Sequence, residues 1–142
     1  MLKKKTFTLP KKERLCSKTL IDRLFSDQSL VKKNWPIKVV YHVDKRKDEQ
    51  DAQVEMLVSV SKRHFKRAVK RNLVKRQVRE AYRHHKAILV DALSESPETK
   101  LTIAFLWMED KIHETSFVEE KMVVVMKKVA QALDGDLKES ES

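Results

Sequence analysis

Five histidines, His42, His64, His84, His85 and His113, and one cysteine, Cys16, are the residues best suited to nucleophilic, general-base or metal chemistry. Their spacing supports none of it. No His-Glu-x-x-His pair sets two ligands on one helix face. A lone cysteine excludes an intramolecular disulfide and any multi-cysteine zinc site. His84 and His85 are read as facing solvent or a nucleic acid rather than a metal. The acids gather in loops and in the last helix, where Glu119-Glu120 reads as a solvated turn, so no acid/base pair emerges. The single glycine, Gly135, rules out glycine-rich phosphate loops and dinucleotide fingerprints, which need several glycines to bring backbone against phosphate.

What remains is charge. The 142 residues carry 31 Lys plus Arg against 21 Asp plus Glu, a net +10. Residues 62–86 hold 11 basic and 1 acidic side chain, so their own net charge equals that of the whole chain. Residues 87–142 run the other way, with 6 basic and 12 acidic. Such segregation produces a patch with a steering field, where a generally solvated surface mixes the signs. Helices normally relieve like charges with opposite charges three or four residues away, and here only Glu80 is available to do so. A polyanion is the natural relief. The arginines add a planar fork suited to phosphate and to stacking on bases. The candidate binding residues are Lys62, Arg63, Lys66, Arg67, Lys70, Arg71, Asn72, Lys75, Arg76, Arg79 and Arg83.

A face of this composition reads backbone rather than sequence. Major-groove recognition calls for a mixed tip, and only Asn72 and Gln77 supply one. The pattern therefore favours structured RNA over DNA. The competing classes are a non-catalytic DNA- or ribosome-associated protein and a basic amphipathic helix on an acidic protein or membrane surface. The latter is disfavoured by the absence of Trp or a dense Leu stripe beside the basic run. No apolar run approaches the roughly 20 residues of a membrane span, and no signal core follows the basic N-terminus. A reducing, cytoplasmic setting is expected.

The elements that must position this charge are legible as patterns. Residues 1–12 form a basic arm, expected to be flexible. Ser17 can cap a short helix over Lys18–Asp27 that places Leu20, Ile21, Leu24 and Phe25 on one face. Alternation predicts strands over 37–43, 54–60 and 101–107, the first two read as a hairpin across the polar loop 44–53. A long helix is predicted from Lys66 or Arg67 to Leu93. Its stripe of Val74, Val78, Ala81, Tyr82, Ile88, Leu89 and Ala92 opposes the basic side. Ser116 with Glu119 reads as a capping box opening a last helix that ends near Leu133. Gly135 is its expected stop, and residues 136–142 are an expected disordered tail. One domain, residues 1–135, of α+β class follows, in the order helix, strand, strand, helix, strand, helix.

Ser59-Val60-Ser61-Lys62-Arg63, then Lys66-Arg67-Ala68, then Arg71-Asn72-x-x-Lys75-Arg76-x-x-Arg79-Glu80-Ala81-Tyr82-Arg83 closely resembles the signature of the bacterial ribonuclease P protein component family. Arg14-Leu15 and the short apolar helix ending in Phe25 fit the same pattern, so the resemblance covers about residues 10–133. It implies three helices on a small, mostly antiparallel four-stranded sheet with a left-handed βαβ crossover, like the second domain of a small-subunit ribosomal protein. The fourth strand is one that alternation alone does not supply.

The resemblance also implies a function. Such a chain is the protein subunit of an endoribonuclease that removes the 5′ leader of precursor tRNA and leaves a 5′ phosphate on the tRNA. Its partners are the ribonuclease P RNA subunit and precursor tRNA, with neither membrane nor DNA expected. Catalysis is expected from the RNA subunit and Mg²⁺ held mainly by RNA and substrate phosphates. Arg71, Asn72, Lys75, Arg76 and Arg79 match the motif nearest that RNA, while Ile21, Phe25 and Tyr41 match the leader cleft. Two positions depart from the family pattern. Leu73 stands where a second arginine is usual, so one phosphate contact is either missing or replaced by Lys70. Ile21, or Leu20 if the register slips by one, stands where an aromatic is usual, so core packing competes with base stacking there.

Overall fold

The computed structural model describes residues 30–46 and 52–141. The short helix over 18–27, the basic arm, and loop residues 47–51 lie outside the described residues. The elements are β1 (Leu30–Asn34), β2 (Ile37–Lys45), β3 (Val54–Val60), α1 (Ala68–His85), α2 (Ala87–Ala92), β4 (Thr99–Trp107) and α3 (Thr115–Glu141). The four strands form one sheet in the order β1-β2-β4-β3. Two of its pairings, β1 with β2 and β2 with β4, are antiparallel, and β3 with β4 is parallel. The α+β class and the four-stranded, mostly antiparallel sheet are as expected.

The alternating apolar residues of β2, β3 and β4 all turn to the helices. Ile37, Val39, Tyr41, Met56, Val58, Ile103 and Phe105 join Val74, Val78 and Tyr82 of α1 and Val118, Met122, Val125 and Val129 of α3 in one core. Each such side chain, fully buried, contributes about 1.5–3 kcal/mol relative to exposure. The opposite face of the sheet carries a small second cluster, Val40 and Ala104 with Leu57 and Leu106 packed on it. There Lys100 Nζ and Glu55 Oε1 form an ion pair at 2.7 Å, with Lys100 buried and Glu55 partly so.

Three local expectations are corrected. The strands over 37–43 and 54–60 are not a hairpin, because β4 lies between them and pairs with both. Nearly every β4 residue is buried, which suits a central strand better than an edge. The actual hairpin is β1–β2, turned by Trp35-Pro36 with a cis peptide bond.

The long helix divides at Lys86 (φ −61°, ψ −21°). The amides of Leu89 and Val90 both bond to the Lys86 carbonyl at 3.0 Å, a tightened 3₁₀-like turn. The change of phase carries Leu89 and Leu93 into the core, both at 0 % exposure.

The last helix opens at Thr115, ahead of the expected cap, and runs past the expected end near Leu133, through Gly135 to Glu141. Glu119 does not close a capping box. It is engaged by His85 at 2.7 Å. One glycine costs a helix only about 1 kcal/mol relative to Ala, so Gly135 alone does not stop it.

Candidate nucleic-acid interface

Helix α1 separates its two sides as its sequence requires. Val74, Gln77, Val78, Ala81 and Tyr82 are buried. Lys70, Asn72, Arg76 and Arg79 are exposed, and Arg71, Lys75 and Arg83 half-buried. The preceding turn leaves Lys62, Arg63, Lys66 and Arg67 exposed as well. The first turn of α1 contains no acid to offset this charge. All eleven predicted binding residues therefore lie along one continuous basic stretch, from the end of β3 to the last turn of α1. The apolar Val69 and Leu73 interrupt it at 79 % and 39 % exposure.

Two members have structural duties. Arg71 Nη1 donates to the carbonyls of Phe65 and Lys66, each at 2.8 Å, and so fastens the basic turn onto the helix. Arg83 Nη2 donates to Glu80 Oε2 at 2.5 Å, so the single acid of the segment offsets the last arginine, and among the described residues the earlier ones have no carboxylate partner. Replacing Arg71 by alanine is expected to cost about 1–2 kcal/mol in urea unfolding, the worth of hydrogen bonds from a charged donor at partial exposure. A loss below about 0.3 kcal/mol would show that the turn holds without it.

Gln77 is corrected. It does not tip a reading face but is buried, with Nε2 donating to His113 O at 2.9 Å and to Thr115 Oγ1 at 3.3 Å. Three contacts now tie the basic element to the acidic segment that follows β4: His64 with Asp110, Gln77 with His113 and Thr115, and His85 with Glu119. No sequence pattern links these pairs, which are 34 to 46 residues apart. They explain part of the acidic excess after residue 87: it anchors the basic helix from behind.

His64, His84, His85 and His113 have side-chain partners, His84 lying 3.9 Å from Glu80. Besides those above, His113 pairs with Glu109 and stacks on Phe117 at a centroid distance of 4.0 Å. His64 and Asp110 could orient a general base, yet His64 meets Ser61 through the backbone, its amide donating to Ser61 O at 3.1 Å, while Ser61 Oγ accepts from the Arg63 amide at 3.1 Å. Among the described residues no three His, Cys, Asp or Glu side chains are grouped to hold a metal ion. No described helix is long and apolar enough to cross a membrane.

An open cleft of about 240 Å³ adjoins the basic turn, lined in part by Ser59, Ser61, Arg63, His64, Trp107 and Met108. Sequence reasoning missed it because its walls come from the ends of β3 and β4, strands made neighbours only by the crossover. Of the three predicted leader residues, Ile21 and Phe25 lie outside the described residues. Tyr41 is placed in the core at 1 % exposure, because position 41 shares the inward face of β2 with Ile37 and Val39.

The ribonuclease P family model matches residues 9–103, two thirds of the chain and all of the basic motif. The chain belongs to the ribonuclease P protein component family. A ribonuclease P protein component from Porphyromonas gingivalis is 42 % identical over 117 residues, covering 82 % of each chain. In structure the chain resembles the ribonuclease P protein of Thermotoga maritima, with a TM-score of 0.61 at 20 % identity over 82 % of this chain and 96 % of that one. The Staphylococcus aureus ribonuclease P protein gives 0.59 at 19 % identity, over 82 % and 94 %. The identity in the first comparison establishes the family, and the two structures establish the fold. The ribonuclease P fold thus presents here a helix with one cationic side, its other side locked into the core.

Proposed function

We propose that this chain works as the protein subunit of ribonuclease P, docking on the RNA subunit through the basic side of α1 and helping to hold the 5′ leader of precursor tRNA. The observation that carries this reading is the coincidence of the family motif with an almost unopposed cationic helix face. Arg76, Arg79, Lys75 and Asn72 meet RNA backbone. Lys62, Arg63, Lys66, Arg67 and Lys70 extend the contact along the turn, and Arg71 holds that turn in place. Ile21 and Phe25 contact the leader, with Tyr41 positioning β2 from within the core.

The chemistry belongs, in this reading, to the RNA subunit with Mg²⁺, which hydrolyses one phosphodiester and leaves a 5′ phosphate on the tRNA. The basic face repels cations and is unfit to bind Mg²⁺ itself, so the ions are held by RNA and substrate phosphates. The protein contributes fixed positive charge among those phosphates, which lowers the Mg²⁺ concentration the assembly requires. The setting proposed is the cytoplasm, where precursor tRNA is available.

The test is reconstitution. The protein alone is expected not to cleave precursor tRNA. Added to a bacterial ribonuclease P RNA at Mg²⁺ too low for that RNA to act, it is expected to restore 5′-leader cleavage. Absence of rescue at saturating protein would overturn the proposal, and equal affinity for duplex DNA and structured RNA would favour the DNA-binding alternative.

A further inference from the structure

The β1–β2 hairpin carries a feature that neither the family motif nor the core explains. Trp35, at its tip, is 64 % exposed, whereas Trp107 is 2 % exposed. One pair further from the tip than Asn34 and Ile37, Lys33 and Lys38 are cross-strand partners. Like charges directly opposite one another destabilise a strand pair, and neither lysine has a carboxylate partner among the described residues. Lysines on an edge strand commonly guard against edge-to-edge pairing, which accounts for Lys32 and Lys33 on β1. It accounts for neither Lys38, on a strand paired on both sides, nor the exposed indole.

The hairpin tip is joined to the rest of the site. The Met108 amide donates to Pro36 O at 2.8 Å, fixing the turn beside the end of β4. Val60, the last residue of β3, is registered with Trp107 on the other side of β4. One end of the sheet therefore presents, in order, the Trp35 turn, Met108, the cleft beside Arg63, and the basic turn leading into α1. An exposed aromatic ring among cations is the chemistry that receives unpaired nucleotides, because every base offers a π-face and every linkage a phosphate.

We propose that the Trp35 turn is a binding site for an unpaired nucleotide of RNA, with the base stacked on the indole and the adjoining phosphates on Lys33 and Lys38. The strand continues past Met108 to Arg63. The site rests on the polyanion-binding character of this face and not on the ribonuclease P reading.

The experiment uses the full chain and a short, unstructured oligouridylate. Because Trp107 is buried, accessible tryptophan emission reports Trp35, and it is expected to be quenched on titration. W35A is expected to weaken binding of fluorescently labelled oligouridylate roughly 5- to 150-fold, the range for loss of one stacked base. W35F should restore most of it. K33E/K38E should weaken binding and flatten its salt dependence. Thermal unfolding of each variant checks that the fold persists, as it should for so exposed a ring.

Absence of quenching, or W35A binding within about 2-fold of the parent protein, overturns the site. Two RNA sources share this chemistry. If the base comes from the leader, W35A impairs cleavage of long-leader precursor tRNA and spares a short-leader substrate. If it comes from the RNA subunit, W35A weakens assembly and both substrates lose alike. Failed reconstitution with intact oligouridylate binding would remove the ribonuclease P reading and support the site.

Discussion

Replacing Lys75, Arg76 and Arg79 together by alanine is expected to weaken binding to ribonuclease P RNA roughly 100-fold at about 0.15 M salt. The expectation follows from counterion release. Each phosphate contact contributes about 0.7–0.9 to the slope of log affinity against log salt, so three lost contacts flatten it by about 2–3. At 0.15 M that difference amounts to about two decades. The three side chains are exposed or half-buried and oppose the buried stripe of α1, so their removal leaves the core untouched. Alanine is also the best helix former, and the change relieves self-repulsion, so the free protein should be no less stable. Filter binding or anisotropy across a salt series, with circular dichroism alongside, measures both effects. An unchanged slope would remove α1 as the docking face. Arg76→Ala alone should flatten the slope by about one unit. Arg83→Ala should have little effect on it, because Arg83 is already paired with Glu80 at 2.5 Å.

Tyr82→Ala is expected to cost about 3–5 kcal/mol of folding stability, the usual loss for a large ring removed from a packed core. Tyr82 is 0 % exposed, and its ring lies 6.0 Å from that of Phe105 at a tilted interplanar angle of 59°. The contact joins α1 to the central strand β4. Its loss therefore attacks the element that carries the basic face and the strand that organises the sheet. Domains of this kind have only about 5–15 kcal/mol in hand, so RNA binding at physiological temperature should fall with the folded fraction and return on cooling. Urea unfolding measures the change. Val69→Ala serves as the contrast: at 79 % exposure on the same helix it should shift stability by no more than about 0.5 kcal/mol. A Tyr82→Ala loss below 1 kcal/mol would mean that the helix–sheet contact is not where the stability resides.

The two substitutions separate what the helix encodes twice. The motif positions match a family signature because the same 3.6-residue period serves two needs. Val74, Val78, Ala81 and Tyr82 fall on the buried side, and Lys75, Arg76 and Arg79 on the other. That division is a property of local geometry, so it was readable without a fold. The buried stripe of α3 was readable for the same reason, with Val118, Met122, Val125, Val129 and Leu133 all at 1 % exposure or less. Gln77 was misjudged because its composition suits a reading face, while its burial depends on where the 113–115 segment passes. The placement of Tyr41 in the core was not readable, because alternation tells which residues share a face and not which face meets the helices.

The amino-acid sequence by itself determined the basic helix, its apolar stripe, three of the four strands and the family to which the chain belongs. Each is a periodic or contiguous signal within a few turns or a single strand. Tertiary structure alone decided the strand order, the β1 strand, the break at Lys86 and the histidine and glutamine contacts that anchor α1 to the acidic segment. It also set Trp35 and the Lys33–Lys38 pair at the same end of the sheet as the basic turn. The physical reason is distance along the chain. Strand partners such as Ile37 and Trp107, or contacts such as His64 with Asp110, are selected by the joint burial of the core, and no local period encodes that choice.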